Sequence, residues 1–183
     1  MIKKYRDLFN QLFTAEKYEA FKNDIAADFD YMPTFRMAES PFFISKELKR
    51  QLIDGCRDVI DLIKRDDFLQ RTDRALELNT KVPNEDAHTT FLAIDFGICE
   101  EEGKIIPKLI EVQGFPSLYN FQSNLAHKFE GLYPFLSELT PYLNGLDNES
   151  YLKLIEEVIC NNYPKENVIL LEIEPEKQNT KID

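Results

Sequence analysis

Residues 91–113, FLAIDFGICEEEGKIIPKLIEVQ, decide the fold, because here the apolar period changes from that of helices to that of strands. Leu92, Ile94, Phe96 and Ile98 fall on one face of an extended chain, and Phe91, Ala93 and Asp95 on the other. CEEEGK supplies a turn and IPKLIEVQ returns, so residues 90–98 and 106–113 are predicted to pair as an antiparallel hairpin. Pro107 suits a strand start or an edge, where its missing N–H is harmless. By parity Leu109, Glu111 and Gln113 point one way, and Ile110 and Val112 the other. An even-sum register then brings Asp95, Glu111 and Gln113 to one side of the sheet.

Outward from the hairpin the pattern is helical. In residues 1–30, Leu8, Phe9, Leu12 and Phe13 share one side of a first helix, and Thr14 is the N-cap of TAEKYEAFKNDIAADF; the aromatics here read as core. YMPTFRMAESPFF, residues 31–43, has two prolines and no period, and predicts an extended connection. Ser45 caps a helix whose stripe is Leu48, Leu52, Cys56, Val59, Ile60 and Ile63. Residues 64–90 are charged and turn-rich, with VPNEDAHTT as a surface loop ahead of the first strand. Beyond the hairpin, SLYNFQSNLAHKF predicts a helix begun near Pro116 or Ser117, residues 132–146 short helical turns, and YLKLIEEVI a helix that stops at NNYP.

VILLEI, residues 168–173, is a continuous apolar run after a helix, which predicts a buried strand of a parallel or mixed sheet. Such a strand needs neighbours, so the expectation is an α/β (mixed α+β) fold: residues 1–80 mostly helical, and 88–183 a hairpin, helices and a final strand. The same argument makes residues 1–183 a single domain that begins a longer protein.

Composition narrows the function. A formal charge of −11 opposes long-range attraction to nucleic acid or an anionic membrane, so a polyanionic partner needs a local basic pocket or bridging cations. No stretch approaches a membrane span and no leader pattern opens the chain, so a cytoplasmic protein is expected. Cys56, Cys99 and Cys160 are odd in number and widely spaced, with only His88 and His127 as companions, which argues against a zinc site or a disulfide framework. Cys56 reads as a packing residue and His88 as a solvated loop residue.

The remaining question is why two strands carry carboxylates. An inward-facing carboxylate is costly unless paired, hydrogen-bonded or bound to a metal. Asp95, Glu111 and Gln113 together make a hard-oxygen set of the kind Mg²⁺ takes alongside nucleotide phosphates. On spacing alone, a solvated face with hydrated carboxylates is the favoured reading, since the spacing is not by itself a specific signature.

PKLIEVQGFPSLYNFQ resembles the segment of glutathionylspermidine synthase-type ATP-grasp ligases in which a strand reading roughly "LLEYNADTPTSL" follows a strand bearing an aspartate. VILLEIEPEKQNTKID resembles the strand and polar stretch that follow in that family, so the likeness covers roughly residues 85–183. In the family, the aspartate, the strand glutamate and an asparagine two residues later bind metal and ATP. By motif position these become Asp95, Glu111 and Gln113, with Pro116, Ser117 and Leu118 matching the turn into the next helix. This chain has Ala93 where the family carries arginine, Gln113 for asparagine, and no segment resembling the later lobe whose lysines hold the nucleotide.

The resemblance implies a helix-rich pre-ATP-grasp-like domain: the N-terminal part of a ligase that uses ATP and Mg²⁺ to join a small-molecule carboxylate to an amine. It would lend metal and nucleotide ligands to a C-terminal ATP-grasp lobe and be inactive alone. A noncatalytic binding or scaffold domain of the same fold is the alternative, with Ala93 and Gln113 in its favour. A carboxylate-dyad hydrolase ranks last, because nothing identifies a substrate cleft.

Overall fold

In the computed structural model, residues 1–76, 80, 83–84, 88–114 and 118–182 are described. The fold is α+β, helix-rich with one two-stranded antiparallel sheet among the described residues. It resolves into two compact units, Met1–Phe43 with Ser117–Asp183, and Ile44–Pro116.

The first unit is built on aromatic packing. Helix α1 (Lys3–Leu12) and helix α2 (Ala15–Phe29) are separated by Thr14, whose hydroxyl accepts from Lys17 N at 3.2 Å and satisfies one orphan amide of the helix start. Helix α2 ends where Asp30 turns left-handed, at φ 47°. Phe9, Phe21, Ile25, Phe43, Phe121, Phe129, Tyr133 and Leu136 form the buried cluster. Phe21 stacks on Phe129 at 4.2 Å, and Phe9 sits 4.5 Å from Tyr133, close aromatic contacts that add to their area burial. Phe121, Phe129 and the N-cap Asn120 belong to helix α5 (Phe121–Leu132), which lies along α2. Lys128 of α5 reaches Asp24 at 3.0 Å and Asp28 at 2.9 Å, and Asn124 donates to Asp28 at 2.9 Å. Those two donors, Asn124 first, hold the Asp28 carboxyl below its ordinary range.

Helix α5 begins later than the Pro116–Ser117 start expected from sequence. Pro116 and Ser117 lie outside the described residues, but Leu118 has φ 63°, which an α-helix excludes, and Phe121 N–H closes back on Leu118 O at 3.2 Å. The expected short turns after it appear as a 3-10 turn at Pro134–Glu138. Helix α6 (Asn148–Cys160) starts at a reciprocal cap, Asp147 Oδ1 accepting from Ser150 N at 2.9 Å and Asp147 N donating to Ser150 Oγ at 2.9 Å. It stops at Asn161, left-handed at φ 44°, as NNYP predicts.

The buried strand expected at VILLEI is absent. Residues 168–173 form no strand, and Ile169, Leu170, Leu171 and Ile173 are 76–85% exposed. Their apolar character encodes a capacity for burial, and the described residues leave the run uncovered.

The second unit sets one long helix against the hairpin. Ser45 accepts from Leu48 N at 3.1 Å and caps helix α3 (Lys46–Ile63), as expected; helix α4 (Phe68–Thr72) is a single short turn. Strands β1 (Ala93–Glu101) and β2 (Lys104–Gln113) run further toward each other than the sequence pattern suggests. Glu102 at φ 50° and Gly103 at φ 75° make a two-residue turn with both centres left-handed, the geometry that matches strand twist. Pro107 lies on β2, and in a two-stranded sheet every strand is an edge. The inner face is fixed by Gly55 of α3, where a Cβ would come within 3.1 Å of the Phe96 ring.

Candidate functional site

The hairpin brings the predicted acidic set together. Ala93 pairs with Gln113, Ile94 with Val112 and Asp95 with Glu111, so the two carboxylates stand directly opposite each other on one face, with Gln113 two positions along. Since Phe96 faces α3, this is the face turned away from the helix. Asp95, Glu111 and Gln113 are all exposed. Gln113 Nε2 donates to Glu111 Oε1 at 2.5 Å, while Asp95 and Glu111 make no ion pair with any described residue.

A bulge between Asp95 and Phe96 alters the rest of the predicted face. Phe96 pairs with Leu109, so Ile110 is the extra residue and Leu109 lies with Phe96 rather than with Glu111. Ile110 is carried the other way: its Cδ1 lies 3.5 Å from where a Cβ on Gly97 would stand, and it is 68% exposed. Strict alternation from Gln113 back to Leu109 therefore fails at the bulge, which the periodicity of the side chains does not register. Beyond it, Lys108 binds Glu101 at 2.7 Å, and this hydrogen bond holds the Lys108 ammonium above its ordinary range. At the open end, the Thr89 hydroxyl lies between Gly114 O and Phe91 O, the latter at 2.8 Å, and ties the two strands.

Chemically, two opposed carboxylates and one amide offer oxygen to a hard cation, but they are fewer than a closed protein cage needs. Among the described residues no group of three or more His, Cys, Asp or Glu could hold a metal ion. In general, Mg²⁺ is held by one or two carboxylates and keeps waters or phosphates in its remaining positions. His88 is exposed on the loop before β1. Cys56 is half-buried on α3, and burial pushes its thiol pKa up, as befits a packing residue.

No family model, curated protein or solved structure matches this chain. Among the described residues, no helix is long and apolar enough to cross a membrane.

Sequence reasoning missed a second place with chemical potential, in the first unit. An open cleft of about 870 Å³ runs between α1, α2 and the 31–43 connection, and Arg6, Lys22 and Arg36 line it together with Phe13, Tyr18 and Phe35. Phe13 and Tyr18 pack against the core, as the reading of residues 1–30 expects, and also face the cleft. The available signal was the interleaving of basic and aromatic residues in KKYR and TFRM, which has meaning only once the two segments face each other.

Proposed function

We propose that this chain is the N-terminal, pre-ATP-grasp-like part of an ATP- and Mg²⁺-dependent carboxylate–amine ligase resembling glutathionylspermidine synthase, in which Asp95, Glu111 and Gln113 hold the metal and the nucleotide phosphates. The observation that carries this reading is the pairing of Asp95 with Glu111 across the strands, with neither carboxylate ion-paired to a described lysine or arginine. Like charges directly opposite destabilise a sheet by a few tenths of a kcal/mol to about 1 kcal/mol, and a bound divalent cation reverses that sign. Bound there, Mg²⁺ would screen the triphosphate and stabilise charge developing in phosphoryl transfer. The chain's own contribution is positional: strand pairing sets Asp95 of β1 opposite Glu111 of β2 beside the bulge, and Gln113 donates to Glu111. In this reading the exposed run at 168–173 joins a mixed sheet that the ATP-grasp lobe completes, and the small-molecule carboxylate and amine bind with that lobe present.

Calorimetric titration with Mg·ATP tests it. The 183-residue chain should bind weakly, and full-length protein carrying the second lobe should bind and turn over. In that protein Asp95→Asn and Glu111→Gln should depress turnover much more than they alter thermal melts. Normal turnover in both variants would overturn the assignment.

The second reading is a noncatalytic binding domain. The exposure of Ile169, Leu170, Leu171 and Ile173 favours it, since an apolar run of this kind marks an interaction surface. Full-length protein that binds no nucleotide would make it the better account.

A further inference from the structure

In a chain with 33 acidic and 22 basic residues, an arginine that makes no ion pair with any described carboxylate is informative. The cleft of the first unit holds two. Its lining has three cations, Arg6, Lys22 and Arg36, against one carboxylate, Glu39. Lys22 is already paired with Glu19 at 2.7 Å. Among the described residues the Arg6 guanidinium donates to the Ser40 hydroxyl, a neutral partner, and to no carboxylate. Arg36 is exposed and makes no hydrogen bond or ion pair with any described residue.

The other walls are aromatic and fixed in place. Tyr18 donates its hydroxyl to Met37 O at 2.8 Å and packs 6.5 Å from Phe13. Phe35 stands edge-on to Phe121 of the core at 5.6 Å. These rings are the rim of the buried cluster, so their positions follow from the packing that stabilises the unit.

We propose that this cleft binds a small organic anion, a phosphate or carboxylate carried on an aromatic or otherwise apolar body. Arg6 and Arg36 take the anionic group, and Phe13, Tyr18 and Phe35 take the body. Guanidinium suits the anion because its planar fork offers paired donors to two oxygens, and Arg6 is oriented before binding by Ser40. The cleft has the size of small-molecule sites, which run to roughly 300–1,000 Å³. The negative net charge of the chain does not forbid this, since charges beyond about 8–10 Å are screened at physiological salt while the two arginines act at contact. The inference goes beyond the ligase reading and needs neither the strand carboxylates nor a metal.

The test is calorimetric titration of the 183-residue chain with four probes: 2-naphthyl phosphate, 2-naphthoate, neutral 2-naphthol and inorganic phosphate. One or both naphthyl anions should bind at least about tenfold tighter than 2-naphthol and than inorganic phosphate, as charge-assisted hydrogen bonding added to apolar burial requires. Which anion binds tighter identifies the group. Arg36→Gln should weaken binding about tenfold and Arg36→Lys less, because lysine keeps the positive charge and loses only the guanidinium fork. Arg36 is exposed, so its variants keep the fold, whereas Arg6→Gln is read only alongside a thermal melt because it also frees Ser40. Asp95→Asn should leave the affinity unchanged. Equal affinity for 2-naphthol, failure of both anions to bind, or wild-type affinity in Arg36→Gln would overturn the proposal. So would loss of binding in Leu170→Ser with none in the arginine variant, which would put the probes on the exposed 168–173 run.

Discussion

The two units of this protein solve the burial problem to different degrees. The helical unit closes eight residues into a buried cluster, six of them aromatic, with ring contacts from 4.2 to 6.4 Å joining α1, α2 and α5. In the helix-and-hairpin unit only Leu48 reaches that degree of burial among the described residues, while Ile105, Leu109 and Val112 of β2 stay 38–52% exposed. A hairpin with one helix has too little apolar area to cover both of its strands, and an isolated two-stranded sheet is marginal in water. Packing density thus separates the two kinds of surface. The well-packed unit holds rigid aromatic walls around a cleft, and the thinly packed one presents an acidic pair on an open face.

The largest expected effect tests the aromatic core. Phe9 is 1% exposed and touches Phe13, Phe43, Phe129 and Tyr133. Phe9→Ala should lower unfolding free energy by about 3–5 kcal/mol in chemical denaturation, the usual loss for a buried phenylalanine. A loss near 1 kcal/mol would mean the core is looser than its ring geometry indicates.

In the second unit the corresponding change is smaller. Gly55→Val places a branched side chain where even a Cβ would stand 3.1 Å from the Phe96 ring, so helix and sheet must part slightly, at about 1–3 kcal/mol. Hydrogen exchange should report the contrast directly, with the β1 and β2 amides losing protection well before those of α2 and α5. Equal protection in the two units would break the comparison.

Relief of the opposed carboxylates comes next. In metal-free buffer Asp95→Asn should raise stability by about 0.2–1 kcal/mol, the size of a cross-strand like-charge penalty, and added salt should shrink the gain. A destabilising Asp95→Asn would show that the carboxylate makes a structural contact instead.

The Asp28 clip between α2 and α5 adds a pH dependence. Because Asn124 and Lys128 hold the Asp28 carboxyl below its ordinary range, its contribution is fully present above that range and is lost as pH falls through the lowered value. Thermal melts from neutral to acid pH should therefore fall less steeply for Asp28→Asn than for the parent chain. The smallest effect is expected at Leu170, 79% exposed, where Leu170→Ser should change stability by less than about 0.5 kcal/mol. A loss of several kcal/mol there would restore the buried strand that VILLEI suggests.

Much of the local structure is legible in the residues themselves. Thr14 and Ser45 cap the helices they precede, and Asn161 ends α6 within NNYP. The parity of residues 91–113 places Asp95, Glu111 and Gln113 on one face, because strand pairing preserves a period of two as far as the ladder is regular. The bulge that moved Leu109 to the Phe96 face leaves no mark in that period, since it inserts one residue without changing composition. The start of α5 differs from the expected Pro116–Ser117 start for a similar reason, as the left-handed backbone at Leu118 is not a conformation that leucine announces.

By itself, then, the sequence determined the hairpin, the main helices with their Thr14 and Ser45 caps, and the sidedness of the acidic residues, but neither the start of α5 nor the fate of the 168–173 run. Tertiary structure alone decided that the aromatics of α1, α2 and α5 close into one cluster while the equally apolar run at 168–173 remains in water. It alone set Arg6 and Arg36 on the walls of one cleft although 30 positions separate them. Hydrophobicity records only that a side chain gains by leaving water, and whether it does so depends on which complementary surface the rest of the chain brings to it.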